Sequence, residues 1–466
     1  LQDNGAWVGP MRSQETGGIY NDDWRMVSFG DGFFIISHPD DPDLYLTESQ
    51  GGSMLRSNFR TREQQSVSPQ PRSNAGGPAS GMKYRFNWNT PIVPSPHQKE
   101  TVYFGGNVLF RTQDFGKTWK AISPDLTTNN PDKQKSAGGP IWYDNSTAEN
   151  NGTIVTVSES PVRPGTIYAG TDDGNVQLTT DGAETWTNIT GRFPGVPPTP
   201  VVSHVEASRR DANTAYVAFD RHMFDDFKPY LFRSTDGGRT WEDIGQGLPG
   251  SAYVQVIKED PKNPDLLYVG TETGLFASWN KGLEWKRLEL KNLPRVAVHD
   301  ILVHPRDNDL ILATHGRSLY VFDDATPLQQ MGPAIAQRNA HLPRARRLAS
   351  LRPLHPLRPW QRHLHRPQPG HHGSVRRHLL PRHAEHDAGG HAGRRERGVA
   401  VVRDRRRRGD AAEHGEPFVR VPHGDVHGRR RGAEGERVLG PGLRAVRDEV
   451  DPGGTDAVER GVRVRV

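Results

Sequence analysis

LFRSTDGGRTWEDI, residues Leu231 to Ile244, decides the fold. An apolar strand end runs into Ser234-x-Asp236-x-Gly238-x-Thr240-Trp241, and the chain then turns back into a second strand. A carboxylate at Asp236 can accept hydrogen bonds from the turn's own amides. Gly237 and Gly238 supply the positive φ of a tight reversal, and Trp241 has a large ring to bury. The same offsets recur at Thr112, Asp114, Gly116, Thr118 and Trp119. They recur at Thr179, Asp181 and Trp186 with Ala183 in the glycine place, and in a degraded copy at Ser278, Asn280, Gly282 and Trp285. Asp114, Trp119, Asp181, Trp186, Asp236, Trp241, Asn280 and Trp285 are therefore read as structural.

A second phrase recurs upstream, a turn followed by a β-rich strand. Its six copies end at Leu46, Gly106, Gly170, Ala218, Gly270 and Gly316. Their spacing of roughly 45 to 65 residues is that of four-stranded propeller blades. The expected fold is all-β, a β-propeller of about six to seven blades over residues 1–326. An Arg-, His-, Pro- and Gly-rich tail over 327–466 is expected to be largely unstructured. The N-terminal edge reads as incomplete, with two short strands around Gly30-Asp31-Gly32 and a polar surface excursion over residues 64–81.

These repeats resemble the Asp-box, or BNR, repeat of sialidases, sortilin and tandem-propeller glycosidases. The phrases LQDNGAWVGP from Leu1, TESQGG from Thr47, YRFNWNTPI from Tyr84 and FKPYLFRSTD from Phe227 are similar to large bacterial BNR-repeat glycosyl hydrolases with a sortilin-like N-terminal domain. The resemblance covers residues 1–330. It implies the second of two propellers, with a preceding propeller packed against this one, and an extracytoplasmic or secreted setting. A sialidase is disfavoured: the FRIP-like arginine phrase is missing, and Arg317 alone cannot make that family's arginine triad.

Composition narrows the field. The chain has no cysteine, which removes disulfides and thiolate chemistry, and no apolar run approaches the ~20 residues of a membrane span. Its net charge of +5 is uneven. Residues 341–466 hold 28 Arg and no Lys against 15 Asp and Glu, a net +13, which leaves residues 1–340 at −8. An acidic body disfavours nucleic acid as a partner. Beyond Asn339, Lys, Ile, Tyr and Asn vanish while 13 of the 20 His appear. That change fits out-of-frame translation of a G+C-rich gene, a disordered tail, or a basic functional tail.

Ligands of propellers meet loops at the mouth of the central channel. The catalytic candidates there are Asp31, Asp172 and Glu272, because glycoside hydrolysis needs two converging carboxylates. The binding candidates are Asp3, Asn4, Trp24, Glu48, Trp88, Asp173, His315 and Arg317, with Asp22, Asp23 and Gln50 beside them. Trp24, Trp88 and Trp142 could offer sugar-stacking rings. No cofactor and no metal is expected, since Asp172-Asp173-Gly174 lacks calcium-loop spacing. Two functions fit: a sortilin-like binding or scaffold module for a glycan or peptide, and a glycoside hydrolase or half of its cleft.

Overall fold

The computed structural model of the chain describes residues 2–10, 13, 17–70, 76–138, 141, 144–290 and 292–332. Trp142 and the expected tail from residue 333 onward lie outside them. The described chain is a six-bladed β-propeller of antiparallel sheets. Blade 1 comprises β3 (Gly32–Ser37), β4 (Leu44–Ser49), β5 (Ser53–Asn58) and β6 (Glu63–Ser66). Blade 2 comprises β7 (Ile92–Pro94), β8 (Val102–Gly105), β9 (Leu109–Thr112) and β10 (Lys120–Ala121). Blade 3 holds β11 (Ile154–Glu159), β12 (Ile167–Thr171), β13 (Val176–Thr179) and β14 (Thr187–Asn188). Blade 4 holds β15 (Val201–Ala207), β16 (Ala215–Arg221), β17 (Asp226–Ser234) and β18 (Glu242–Asp243). Blade 5 is β19 (Val254–Glu259), β20 (Leu267–Thr271), β21 (Gly274–Ser278) and β22 (Lys286–Arg287). Blade 6 has three strands, β23 (Val298–Val303), β24 (Leu310–Thr314) and β25 (Leu319–Phe322), and runs into the short helix α1 (Thr326–Gln330).

The second strands explain why these segments fold radially. β8, β12 and β20 are buried at every position, which fits strands covered on both faces by neighbouring blades. The five seams between successive blades, from blade 1 to blade 6, are filled by such residues. Phe86, Phe104 and Phe110 stack between blades 1 and 2, and Tyr216, Val254, Leu267 and Phe276 fill the seam of blades 4 and 5. The first strands lie innermost, where β11 packs on β15, β15 on β19 and β19 on β23.

Three sequence expectations meet different outcomes here. The two short strands around Asp31 belong to different sheets. β2 (Arg25–Ser28) pairs with β1 (Ala6–Val8), whereas β3 pairs with β4, so Asp31 lies at a crossing between sheets. The polar stretch after residue 63 starts as β6, which pairs with β5 although all four of its residues are exposed. The chain also stays packed past residue 326. Leu328 of α1 is buried against blade 6, and its carbonyl accepts from Trp279 Nε1 at 2.8 Å.

Candidate functional site

Strand direction sorts the loops onto two faces. The lower face carries the turns between third and fourth strands. There Asp236 accepts from the Ser234 hydroxyl, the Arg239 and Thr240 amides and the Thr240 hydroxyl at 2.6–3.0 Å. Asp181 and Asp114 make the same bonds with Thr185 and Thr118, and Asn280 Oδ1 accepts from the Glu284 amide. The Thr185 hydroxyl and amide pull Asp181 down to about 2, and Thr240 holds Asp236 lower still. At Asp114 burial opposes the change, but Thr118 and Thr112 still keep it below its ordinary value.

The tryptophans of these turns reach the preceding blade. Trp119 Nε1 donates to the Val67 carbonyl, Trp186 Nε1 to Ile122 and Trp285 Nε1 to Ile244. Trp241 is the exception. Its Nε1 is buried without an acceptor while its ring lies 4.7 Å from Phe193.

The upper face carries the loops that leave the second strands and enter the first. Asp172, Glu272 and His315 occupy one equivalent position, one residue past β12, β20 and β24. Each donates its amide to the residue just before its blade's first strand, namely Thr153, Tyr253 and Ala297. Asp220 holds the same position in blade 4, where β16 runs two residues further, to Arg221, and pairs Asp220 with Val201. Each first strand of blades 3 to 6 also carries a bulge near its upper end, at Val155, Ser203, Gln255 and His299. A bulge re-aims a side chain, and four in register crown the channel mouth.

On blade 3 the crown is locked. Asp172 accepts from the Gly152 and Thr153 amides, the Thr153 hydroxyl and Asn87 Nδ2 at 2.7–3.2 Å. Burial still pushes its carboxyl up to about 7, against the Thr153 amide and helped by the neighbouring Asp173 charge. Asp173 binds the Thr128 amide and hydroxyl at 2.8 and 2.6 Å, tying down the long loop before blade 3.

Blades 4 to 6 bring polar groups together more openly. Asp220 accepts from the His222 amide, and both of its oxygens lie 2.7–2.8 Å from His222 Nδ1. The His222 ring stacks on Tyr253 at 4.9 Å and 15°. Tyr253 donates its hydroxyl to Glu272 Oε2 at 2.9 Å, and burial, then the Glu272 bond, push the phenol's pKa well above its ordinary value. Phe227 leans on Tyr253 at 6.2 Å. Across the mouth, His299 and His315 lie ring to ring at 4.7 Å. Burial and then the His315 charge lower His299, against the opposing pull of Glu272 and Asp220.

The remaining candidates divide. Asp31, Asp3 and Trp88 do come together: Asp31 accepts from the Asp3 amide and from Trp88 Nε1, each at 2.8 Å. Asn4 turns its amide to the Gln2 carbonyl, Gln50 binds the Ser146 carbonyl, and Arg317 is exposed in the β24–β25 turn. Glu48 cannot meet a ligand, because it is fully buried between blades 1 and 2. Neither of its oxygens makes a well-formed hydrogen bond. Burial holds the carboxyl well above the usual carboxylate range, against the smaller opposing pull of the Thr90 and Gly52 amides and the Thr90 hydroxyl. Trp24, Asp22 and Asp23 lie at the far end of β2 from Asp31. There the two aspartates help line a lower-face cleft of about 370 Å³ with Asp43, Tyr45 and Phe59.

Sequence reasoning missed Asp220, His222, Tyr253 and His299. The signal for Asp220 was present: AYVAFD aligns residue for residue with IYAGTD. Among the described residues no group of three His, Cys, Asp or Glu side chains is placed to hold a metal ion, and no helix is long and apolar enough to cross a membrane.

The described chain is thus a six-bladed β-propeller with polar side chains gathered at one mouth. No protein-family profile matches the chain. It is similar to curated glycosyl hydrolases. One is a xyloglucanase of a Paenibacillus species, 24% identical over 302 residues, 57% of this chain and 27% of that protein. Another is the oligoxyloglucan-reducing end-specific xyloglucanase of Emericella nidulans, 24% identical over 321 residues, 62% of this chain and 36% of that one. The chain thus spans about a third of the length of these relatives. Among solved structures, an ancestral GH74 enzyme is superposed over 63% of this chain and 36% of its own, with 15% identity and a TM-score of 0.44. At that score the fold rests on the strand pairing above and not on the superposition.

Proposed function

We propose that the chain is the glycan-binding propeller of a glycoside hydrolase acting on a neutral, xyloglucan-like polysaccharide. The observation that carries this reading is the similarity to xyloglucanases along some 300 residues. The upper-face crown supports it, because it offers what a sugar needs: carboxylates and imidazoles for hydroxyl groups, with aromatic rings behind them. In this reading the lower-face turns are Asp-box repeats that brace the wheel. A second propeller packs against the upper face, and the protein works outside the cytoplasm, where polymeric glycans are met. Hydrolysis needs a protonated carboxyl and an ionised one. Asp172, held near 7, and Glu272, with one oxygen engaged by Tyr253, are this chain's candidates for the two roles, with Asp31 as a third.

A sortilin-like binding module for a glycan or peptide is the second reading. It is favoured by Asp172 itself, whose two oxygens already accept four hydrogen bonds. The two separate in a screen of the full chain against xyloglucan and other plant and microbial polysaccharides. Turnover that falls by about 10²-fold or more in Glu272→Gln, Asp172→Asn or Asp31→Asn supports the hydrolase. Saturable binding without turnover supports the module, and a chain that neither binds nor cleaves any of them refutes both glycan readings.

A further inference from the structure

Within the crown one side chain is held in a way its surroundings do not explain. His222 opens the four-residue turn between β16 and β17, where a histidine ordinarily points into water. Here its Nδ1 is fixed between both oxygens of Asp220, a carboxylate that is itself buried. One face of its ring is laid flat on Tyr253, at 15° between planes. Tyr253 is in turn immobilised by its bond to Glu272 and by Phe227. Asp220 and Tyr253 thus hold one imidazole, backed by Glu272 and Phe227, while the side chain stays about 39% exposed and no hydrogen bond to its Nε2 is seen among the described residues.

We infer that His222 is the ligand-facing platform of this site, that Asp220 is its positioning residue, and that the ligand is a pyranose ring of a neutral glycan. This rests on the glycan reading above. The tautomer of the neutral ring follows from the clamp: a carboxylate at Nδ1 keeps the proton there, so Nε2 of the neutral ring is an acceptor. Glu272 contributes a second acceptor, since among the described residues only its Oε2 is engaged, by Tyr253. Two acceptors beside a part-exposed aromatic ring suit a ligand rich in hydroxyl donors with an apolar ring face, which is what a pyranose presents. An anionic ligand would meet the Asp220 and Glu272 carboxylates instead.

The test has two independent halves, both on the full chain. Nitrogen-15 spectra of the imidazoles report the tautomer without any ligand. The Nδ1-protonated form is expected for His222 in the parent, with loss of that single form in Asp220→Asn. An unchanged His222 signature in Asp220→Asn overturns the positioning role. Calorimetric titration with a xyloglucan heptasaccharide reads the platform. Affinity is expected to fall ~tenfold in His222→Ala, the scale of one hydrogen bond plus ring contact, and less in His222→Phe, which keeps a ring. Thermal midpoints of the variants should stay near that of the parent. Binding by the parent with His222→Ala within twofold of it overturns the platform and leaves the glycan reading standing. No binding by the parent to this sugar or to cello-oligosaccharides overturns the glycan reading, and the tautomer result still decides the clamp.

Discussion

Trp241 and Trp285 hold equivalent places in blades 4 and 5 and differ by one hydrogen bond. Trp285 Nε1 reaches the Ile244 carbonyl at 2.7 Å, while Trp241 Nε1 is buried with no acceptor. Replacing either with Phe removes the same atoms, so the difference between the two losses isolates the bond. Trp285→Phe should cost about 1 kcal/mol more than Trp241→Phe, read from urea midpoints with a common slope. Charge gives a second residue-scale prediction, in two directions. Asp181 and Asp236 have their pKa lowered by the hydrogen bonds of their turns, so the stability they give is present above about pH 4 and lost as pH falls toward 2. Glu48 and Asp172 are raised by burial and hold protons that the unfolded chain releases. Their stability is complete at the acid end of the carboxylate range and declines as pH rises, for Asp172 through about 7. Thermal midpoints should therefore slope downward from mildly acid to neutral pH, and Glu48→Gln should flatten that slope. An identical slope in the variant would mean that Glu48 is not protonated in the fold.

The turn between third and fourth strands makes its own case at the scale of the element. Its fifth position adopts positive φ in all four copies: +86° at Gly116, +77° at Gly238, +89° at Gly282 and +78° at Ala183. Only Ala183 carries a Cβ there, and left-handed backbone costs such a residue about 1 kcal/mol. Ala183→Gly should raise stability by about 0.5 kcal/mol, the strain relieved less the entropy Gly adds to the unfolded chain. A loss of stability would show that the methyl group packs productively. The turn was legible in sequence because everything it needs lies within eight residues. β6 was not, because an outermost strand with both faces in water shows no apolar alternation. The pairing of β2 with β1 was hidden for another reason. Which sheet a four-residue strand joins is set by contacts more than fifteen residues away, not by its own letters.

The crown became visible only in the whole molecule, since Asp220 and His315, 95 positions apart in the chain, both act on His299. Periodicity located the strands, and equal offsets picked out Asp172, Glu272 and His315. No local rule says that a histidine two residues past Asp220 lies on a tyrosine of the next blade. The same scale exposes a weakness. β23 packs on β19 and β20, but no comparable packing joins blade 6 to β1–β6. Both flanks of that seam are apolar and exposed, with Trp7 and Met26 at 42% and 46% on one side and Leu302, Leu319 and Val321 at 50%, 60% and 43% on the other. The third strands of blades 1 to 5 are covered by a fourth, whereas β25 is covered by none among the described residues. An apolar edge with unpaired amides attracts strands of other molecules, and a lysine on such an edge opposes that association. Sedimentation equilibrium of the full chain should therefore show average mass rising with concentration, and Leu319→Lys with Val321→Lys should reduce the rise without lowering the thermal midpoint. A parent chain that stays monomeric at every concentration would mean that this seam is covered in solution.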